Sequence, residues 1–226
     1  FNIHIQDPKV SINNFDCIVC PEHDGLDGEN VIQSLGAIHY LTAKEIKSNN
    51  GYLNFNRNNK LIVSLIIGGP NNYYDFSEQE IGLLFNKIKI IFSPDKYKLI
   101  VIPSYRTPKN IIDMSYGVFG NDHVVVRSVD KKAYLSALGL ADFIVVTADS
   151  TSMISESAVT GKPIYIANMK AKKSSKRFNN FYTQFKKMNI IRDLEKNIEI
   201  WEYNKIDEAN RVADIVKKKM KLNGIY

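Results

Sequence analysis

In the middle of the chain, hydrophobic residues come in short unbroken runs separated by amphipathic stretches of helical period. "KLIVSLII" (Lys60–Ile67) leads into a Gly- and Asn-rich turn and then "SEQEIGLLFNKIKIIF" (Ser77–Phe92), whose apolar residues recur three and four apart. "YKLIVIP" (Tyr97–Pro103) precedes a helical segment over Asn110–Gly117, and "HVVVRS" (His123–Ser128) precedes one over Lys131–Gly139. "DFIVVTA" (Asp142–Ala148) opens onto a Ser-rich helix that ends near Thr160 at Gly161, and "PIYIANM" (Pro163–Met169) is a fifth strand. Near-continuous Val/Ile/Leu strands are buried on both faces, which predicts a parallel sheet covered by helices. The fold class is therefore α/β, a doubly wound, Rossmann-like parallel sheet over residues 57–195.

Upstream, "FNIHIQ" and "FDCIVC" pattern as two further strands and "NVIQSLGAIHYLT" (Asn30–Thr42) as a helix, so residues 1–56 read as the end of a preceding α/β domain. The Asn-rich Lys47–Lys60 marks the boundary. The chain starts at Phe1 in strand-like sequence, and a missing upstream portion is expected. Residues 196–226 read as helices, with Ile206, Ala209, Val212, Ala213 and Val216 as an apolar stripe.

Composition narrows the picture. At 226 residues and 44% hydrophobic, the chain supports a real core, and no apolar run approaches the roughly 20 residues needed to span a bilayer. No signal-peptide pattern opens the chain, so a cytoplasmic location is expected. The net charge of +6 invites a nucleic-acid or membrane partner, but 24 of the 30 basic residues are Lys, and nucleic-acid readers rely on Arg. No nucleic-acid partner is expected. Cys17 and Cys20 have a C-x-x-C spacing, yet on a strand they point to opposite faces, which argues against a shared metal.

Ligands of open parallel sheets bind outside the carboxyl ends of the strands, so the loops there carry the candidates. Gly68 and Gly69 offer close backbone approach to a phosphate, although they fit a bare turn equally well; Ser77 and Glu80 cap the next helix as a capping box. Neither G-x-G-x-x-G nor a P-loop is present, which weakens an NAD-linked nucleotide-sugar epimerase. Arg106 stands where it can fork onto a diphosphate. In "TADSTSMISESAVTGKP" (Thr147–Pro163), five of the nine residues from Asp149 to Ser157 carry hydroxyls, more than a helix cap needs. Ser150, Thr151 and Ser152 surround a helix amino end that favours an anion, and Glu156 lies about 6 Å further along the same face. That offset suits one nucleotide, with diphosphate on the helix end and ribose on the carboxylate. A serine nucleophile is disfavoured because G-x-S-x-G is absent. Lys176 and Arg177 belong to the basic stretch Lys170–Phe181, which reads as a solvated loop, a phosphate clamp or a contact for an acidic membrane surface.

Leu140–Ile166, together with "CPEHDGLDGENVIQSLGAIHYLT" (Cys20–Thr42), "IGGP" (Ile67–Pro70), "RTP" (Arg106–Pro108) and "KRFNNF" (Lys176–Phe181), resembles the plant elongated-mitochondria (mitochondrial fission) family and its bacterial homologues. One departure is Lys132-Ala133, where the family tends to carry Asn-Pro. The resemblance implies a two-domain fold of GT-B glycosyltransferase type, with residues 1–56 the remnant of the amino-terminal domain. It also implies a nucleotide-sugar site in the carboxyl-terminal domain with the carboxylate of Glu156 on the ribose.

The expectation is a GT-B-like glycosyltransferase taking a nucleoside-diphosphate sugar. It needs no cofactor, and no D-x-D pair is present to hold a metal. The base that activates the acceptor is expected from Glu22, His23 or Asp24, a stretch that also reads as a capped turn. The alternative is a scaffold that binds the nucleotide without catalysis.

Overall fold

The computed structural model describes residues 1–225, and among them nine strands form two parallel sheets. The smaller has the order β1 (Ile3–Ile5), β2 (Cys17–Pro21), β3 (Val31–Ser34). The larger contains β4 (Leu61–Ile67), β5 (Tyr97–Pro103), β6 (Val124–Val125), β7 (Phe143–Thr147), β8 (Ile164–Ala167) and β9 (Ile191–Asp193), in the order β6-β5-β4-β7-β8-β9. Strand order runs outward in both directions from the pair β4 and β7, which is the switch point of a doubly wound sheet and opens a crevice at their carboxyl ends. Register brings Ile66 beside Ile102 on one side and beside Val146 on the other.

The unbroken apolar runs have the reason expected of them. Ile144, Val146, Ile164 and Ile166 face one core, while Phe143, Val145, Tyr165 and Ala167 face another on the opposite side of the sheet. The intervening helices are α2 (Glu78–Ile91), α3 (Lys109–Phe119), α4 (Lys131–Leu140) and α5 (Thr151–Ala158), with α1 (Ala43–Ser48) before the sheet. Ser77 accepts the Glu80 N–H as the capping box requires, while Asp75 takes the Ser77 N–H.

Several segments differ from the sequence expectation. The helix expected over Asn30–Thr42 is instead strand β3 followed by irregular chain, because Val31 and Ile32 pair with Ile18 and Val19, and Gly36 (φ 72°) then turns the chain away. The strand at His123–Ser128 shrinks to two residues. The basic loop ends early in helix α6 (Lys176–Lys187), which buries Phe178, Phe181 and Phe185 at helical spacing. A sixth strand, β9, closes the sheet where none was expected. After it, among the described residues, a single helix forms, α7 (Glu208–Leu222).

The smaller sheet is not separate from the larger one. Val212, Ile215 and Val216 of α7 pack on Cys17, Val19 and Ile32. The Leu35 N–H donates to the buried carboxylate of Glu208 at 2.7 Å. The Ala37 N–H donates to Ser155 Oγ on α5 at 3.0 Å. Among the described residues no helix is long and apolar enough to cross a membrane.

Candidate functional site

The carboxyl ends of β4 and β7 meet in a hub built around Asp149. Its carboxylate is buried and accepts from the Gly69 N–H at 2.9 Å, from Thr147 Oγ1 at 2.6 Å and from Arg106 Nη2 at 2.7 Å. Thr147 Oγ1 in turn accepts the Gly68 N–H at 2.8 Å. Arg106 also donates from Nη1 to the Gly69 carbonyl at 3.0 Å. The hub fixes the loop after β4, the loop after β5 and the start of α5 as one unit.

This gives the two glycines a role other than the expected one. A Cβ on Gly68 would lie 2.1 Å from Asp149 Oδ2, and one on Gly69 would lie 2.1 Å from the Arg106 carbonyl oxygen. The bare backbone is needed for the chain's own packing, and both N–H groups are already spent inside the protein. Gly68 and Gly69 shape the site and do not offer their amides to a phosphate.

The hydroxyl cluster likewise divides. Ser150 caps α5 by accepting the Met153 N–H. Ser155 Oγ donates to the Thr151 carbonyl while accepting from Ala37, and Ser157 Oγ donates to the Met153 carbonyl at 2.7 Å. Thr151 is buried and Ser152 exposed, and both line the cleft described below. Helical hydroxyls commonly satisfy themselves on the carbonyl one turn back, which accounts for Ser155 and Ser157 without a ligand.

Two cavities flank α5. One, of about 220 Å³, has an apolar floor of Ile66, Ile102, Pro103 and Met153, and Glu156 lines it with Tyr134. Tyr134 donates its hydroxyl to Glu156 Oε2 at 2.6 Å; burial, together with that carboxylate, raises the phenol well above its ordinary range. Lys131 enters from the start of α4, where its ammonium lies over the Tyr40 ring and pairs with Glu45 at 2.8 Å. The position of the Lys132-Ala133 departure is thus the first turn of a helix beside this cavity, with Ala133 buried and Asp130 capping.

The other cavity is an open cleft of about 630 Å³ between the amino end of α5 and the amino-terminal segment. Ser150, Thr151, Ser152, Arg106 and Arg177 face it from one side; Asp7, Lys9 and Asp24 face it from the other. Arg177 pairs with Asp24 across the gap. Lys176 is exposed but does not line the cleft.

Of the three expected base candidates, only Asp24 reaches this cleft. His23 is buried against the edge of Phe181, with ring centroids 5.0 Å apart, and neither ring nitrogen has a hydrogen-bond partner among the described residues. Its Nε2 lies 3.7 Å from Asp24 Oδ1, beyond hydrogen-bonding reach, and burial lowers its pKa. Glu22 is exposed on another face, where Gln184 donates to it. Among the described residues no group of three His, Cys, Asp or Glu is placed to hold a metal.

The sequence reasoning passed over Tyr134 and the loop Gln6–Lys9. The second was detectable, because "QDPK" follows a strand, β1, at its carboxyl end, and the rule applied to the central sheet extends to it. The Tyr134–Glu156 pair was not, since 22 residues separate its members.

Comparison with known proteins agrees with this architecture. The chain is 27% identical to protein RP120 of Rickettsia prowazekii, over 98% of this chain and 73% of that one. It is 24% identical to the mitochondrial fission protein ELM1 of Arabidopsis thaliana, over 99% of this chain but 59% of the plant protein. Among solved structures, the S. aureus MnaA–UDP co-structure superposes with a TM-score of 0.52 at 11% identity, covering 94% of this chain and 61% of that one. That likeness is one of fold, and the fold is GT-B-like. The chain spans less than two thirds of the plant protein and of the staphylococcal structure. Residues 1–220 match the family described as Mitochondrial fission ELM1, and to that family the chain belongs.

Proposed function

We propose that this chain binds a nucleoside-diphosphate sugar across α5. The observation that carries the reading is the Glu156–Tyr134 pair. A carboxylate held in place by a half-buried tyrosine, at the rim of an apolar cavity behind the switch point, suits a ribose diol with its base in the cavity. The diphosphate then lies over the amino end of α5, where the helix dipole and the hydroxyls of Thr151 and Ser152 meet Arg106. Asp149 orients that arginine. The UDP named with the staphylococcal structure supports the same class of ligand.

Glycosyl transfer from that donor is the catalytic reading. The positive helix end and Arg106 stabilise the leaving diphosphate as its charge grows. In this reading Asp24 takes the acceptor's proton; it alone of the expected bases lines the cleft. A second reading, binding without turnover, is favoured by one observation: Asp24 is already paired with Arg177, and His23 is shut away behind it.

Calorimetric titration with UDP, GDP, ADP and CMP tests the binding, repeated on Glu156→Ala. A diphosphate nucleotide should bind, and Glu156→Ala should weaken it by about tenfold or more, the worth of hydrogen bonds to a charged group. No binding by any nucleotide overturns the reading. Release of sugar from the matching donor, abolished in Asp24→Asn, separates transfer from mere binding.

A further inference from the structure

The amino-terminal wall of the cleft is built from a backbone that ordinary side chains avoid. Gln6 and Lys9, on either side of Asp7-Pro8, have φ of 86° and 57°, in the left-handed region. Gln6 is tied down by its N–H to the Val19 carbonyl at 2.7 Å, so the loop is held in this shape by the sheet below it. Non-glycine residues held there are characteristic of functional positions. The effect of the bend is to bring Lys9 to the cleft.

Three cations reach the cleft from three different elements, and each is anchored by a carboxylate less exposed than itself. Lys9 is 81% exposed and its partner Asp7 20%; Arg106 is 42% exposed and Asp149 0%; Arg177 is 49% exposed and Asp24 13%. The carboxylates orient the cations and the cations face outward, so the surface offered to a ligand is positive although the charges balance. Arg106 sits with the α5 end, where the nucleotide diphosphate is assigned. Lys9 stands on the amino-terminal wall beside Asp24, and Arg177 reaches across the cleft from α6 to pair with Asp24. One arginine suffices for a monoanionic carboxylate, whereas a lysine and an arginine from opposite walls match a dianionic phosphate.

Building on the nucleotide reading above, we propose that the cleft takes a second ligand beside the nucleotide, an acceptor bearing a phosphate monoester, with that phosphate held between Lys9 and Arg177. The acceptor's free hydroxyl then lies near Asp24, the one carboxylate on that wall paired to the same arginine.

The test is calorimetry on UDP-saturated protein titrated with glycerol 3-phosphate, with acetate as the carboxylate control. Glycerol 3-phosphate should bind and acetate should not compete. Lys9→Ala, a change at an exposed side chain, should weaken glycerol 3-phosphate at least fivefold and leave UDP affinity within twofold; Arg177→Gln should do the same. Protein that binds UDP but not glycerol 3-phosphate overturns the acceptor assignment alone, as does acetate competing equally or Lys9→Ala weakening UDP to the same extent. Protein that binds no UDP overturns the nucleotide reading, and this one with it.

Discussion

Tyr134 donates its hydroxyl to Glu156 Oε2 at 2.6 Å, joining the start of α4 to the middle of α5 across the mouth of the smaller cavity. A carboxylate tethered at one oxygen has lost most of its rotamer freedom before a ligand arrives, and less entropy remains to be lost on binding. Tyr134→Phe removes the tether and keeps the ring. Nucleotide affinity should fall about three- to tenfold, less than in Glu156→Ala, for the loss of one hydrogen bond to a charged acceptor. Calorimetry on both variants decides it, and unchanged affinity in Tyr134→Phe counts against a role for the tether.

Gly36 rests on Ser155, and a Cβ there would lie 2.4 Å from Ser155 Oγ. Its φ of 72° adds a second reason for glycine. Gly36→Ala should cost about 2–3 kcal/mol, since steric overlap and backbone strain act together. Its effect should reach the cleft, because the chain after β3 docks here on α5, whose first turn carries Thr151 and Ser152 at the cleft. Denaturant melts measure the first effect; the change in nucleotide affinity measures the second.

Asp149 is the buried member of an ion pair and serves three donors. Asp149→Ala strands Arg106, the Gly69 N–H and Thr147, and should destabilise the fold by about 3 kcal/mol. Gly68→Ala should mimic part of this by pushing the carboxylate aside. If Asp149→Ala unfolds at the wild-type denaturant midpoint, the hub is not what orders these loops.

Acid should weaken the fold before the carboxylates titrate. Burial lowers the pKa of His123 to about 4 and also lowers that of His23, against an ordinary value of 6.5. Each is therefore neutral in the folded chain where it would be protonated in the unfolded one. Stability is fully present above pH 6.5 and is lost as pH falls from there toward the folded value, by about 1.5 kcal/mol per histidine between pH 6.5 and 5. Asp7, Asp75, Asp130 and Asp193 are held below 3.8 and stay ionised throughout that window. Urea midpoints at pH 7 and pH 5 give the drop, and His23→Leu should remove roughly half of it.

The sequence by itself determined the central sheet, because strands buried on both faces must be apolar on both, and Leu61–Ile67, Tyr97–Pro103 and Phe143–Thr147 are apolar runs broken by Ser64, Lys98 and Thr147 alone. It also put Ser150, Ser152, Arg106 and Glu156 beyond the carboxyl ends of the strands, where they line the two cavities, since that edge of a parallel sheet follows from strand order alone. What only the tertiary structure decided were pairings between distant segments and the bonds that local hydroxyls make. Val31 and Ile32 join β2, a partner more than ten residues away, and that pairing overrides a helical pattern. Burial removed His23 from the cleft through Phe181, a residue 158 positions later in the chain. Asp149 and Arg106 fill the space beside Gly68 and Gly69 that the sequence leaves open to a phosphate. Ser155 and Ser157 turned inward to the carbonyls one turn back. A run of residue types can state which chemistry is available, but which groups are already satisfied depends on neighbours that only folding brings together.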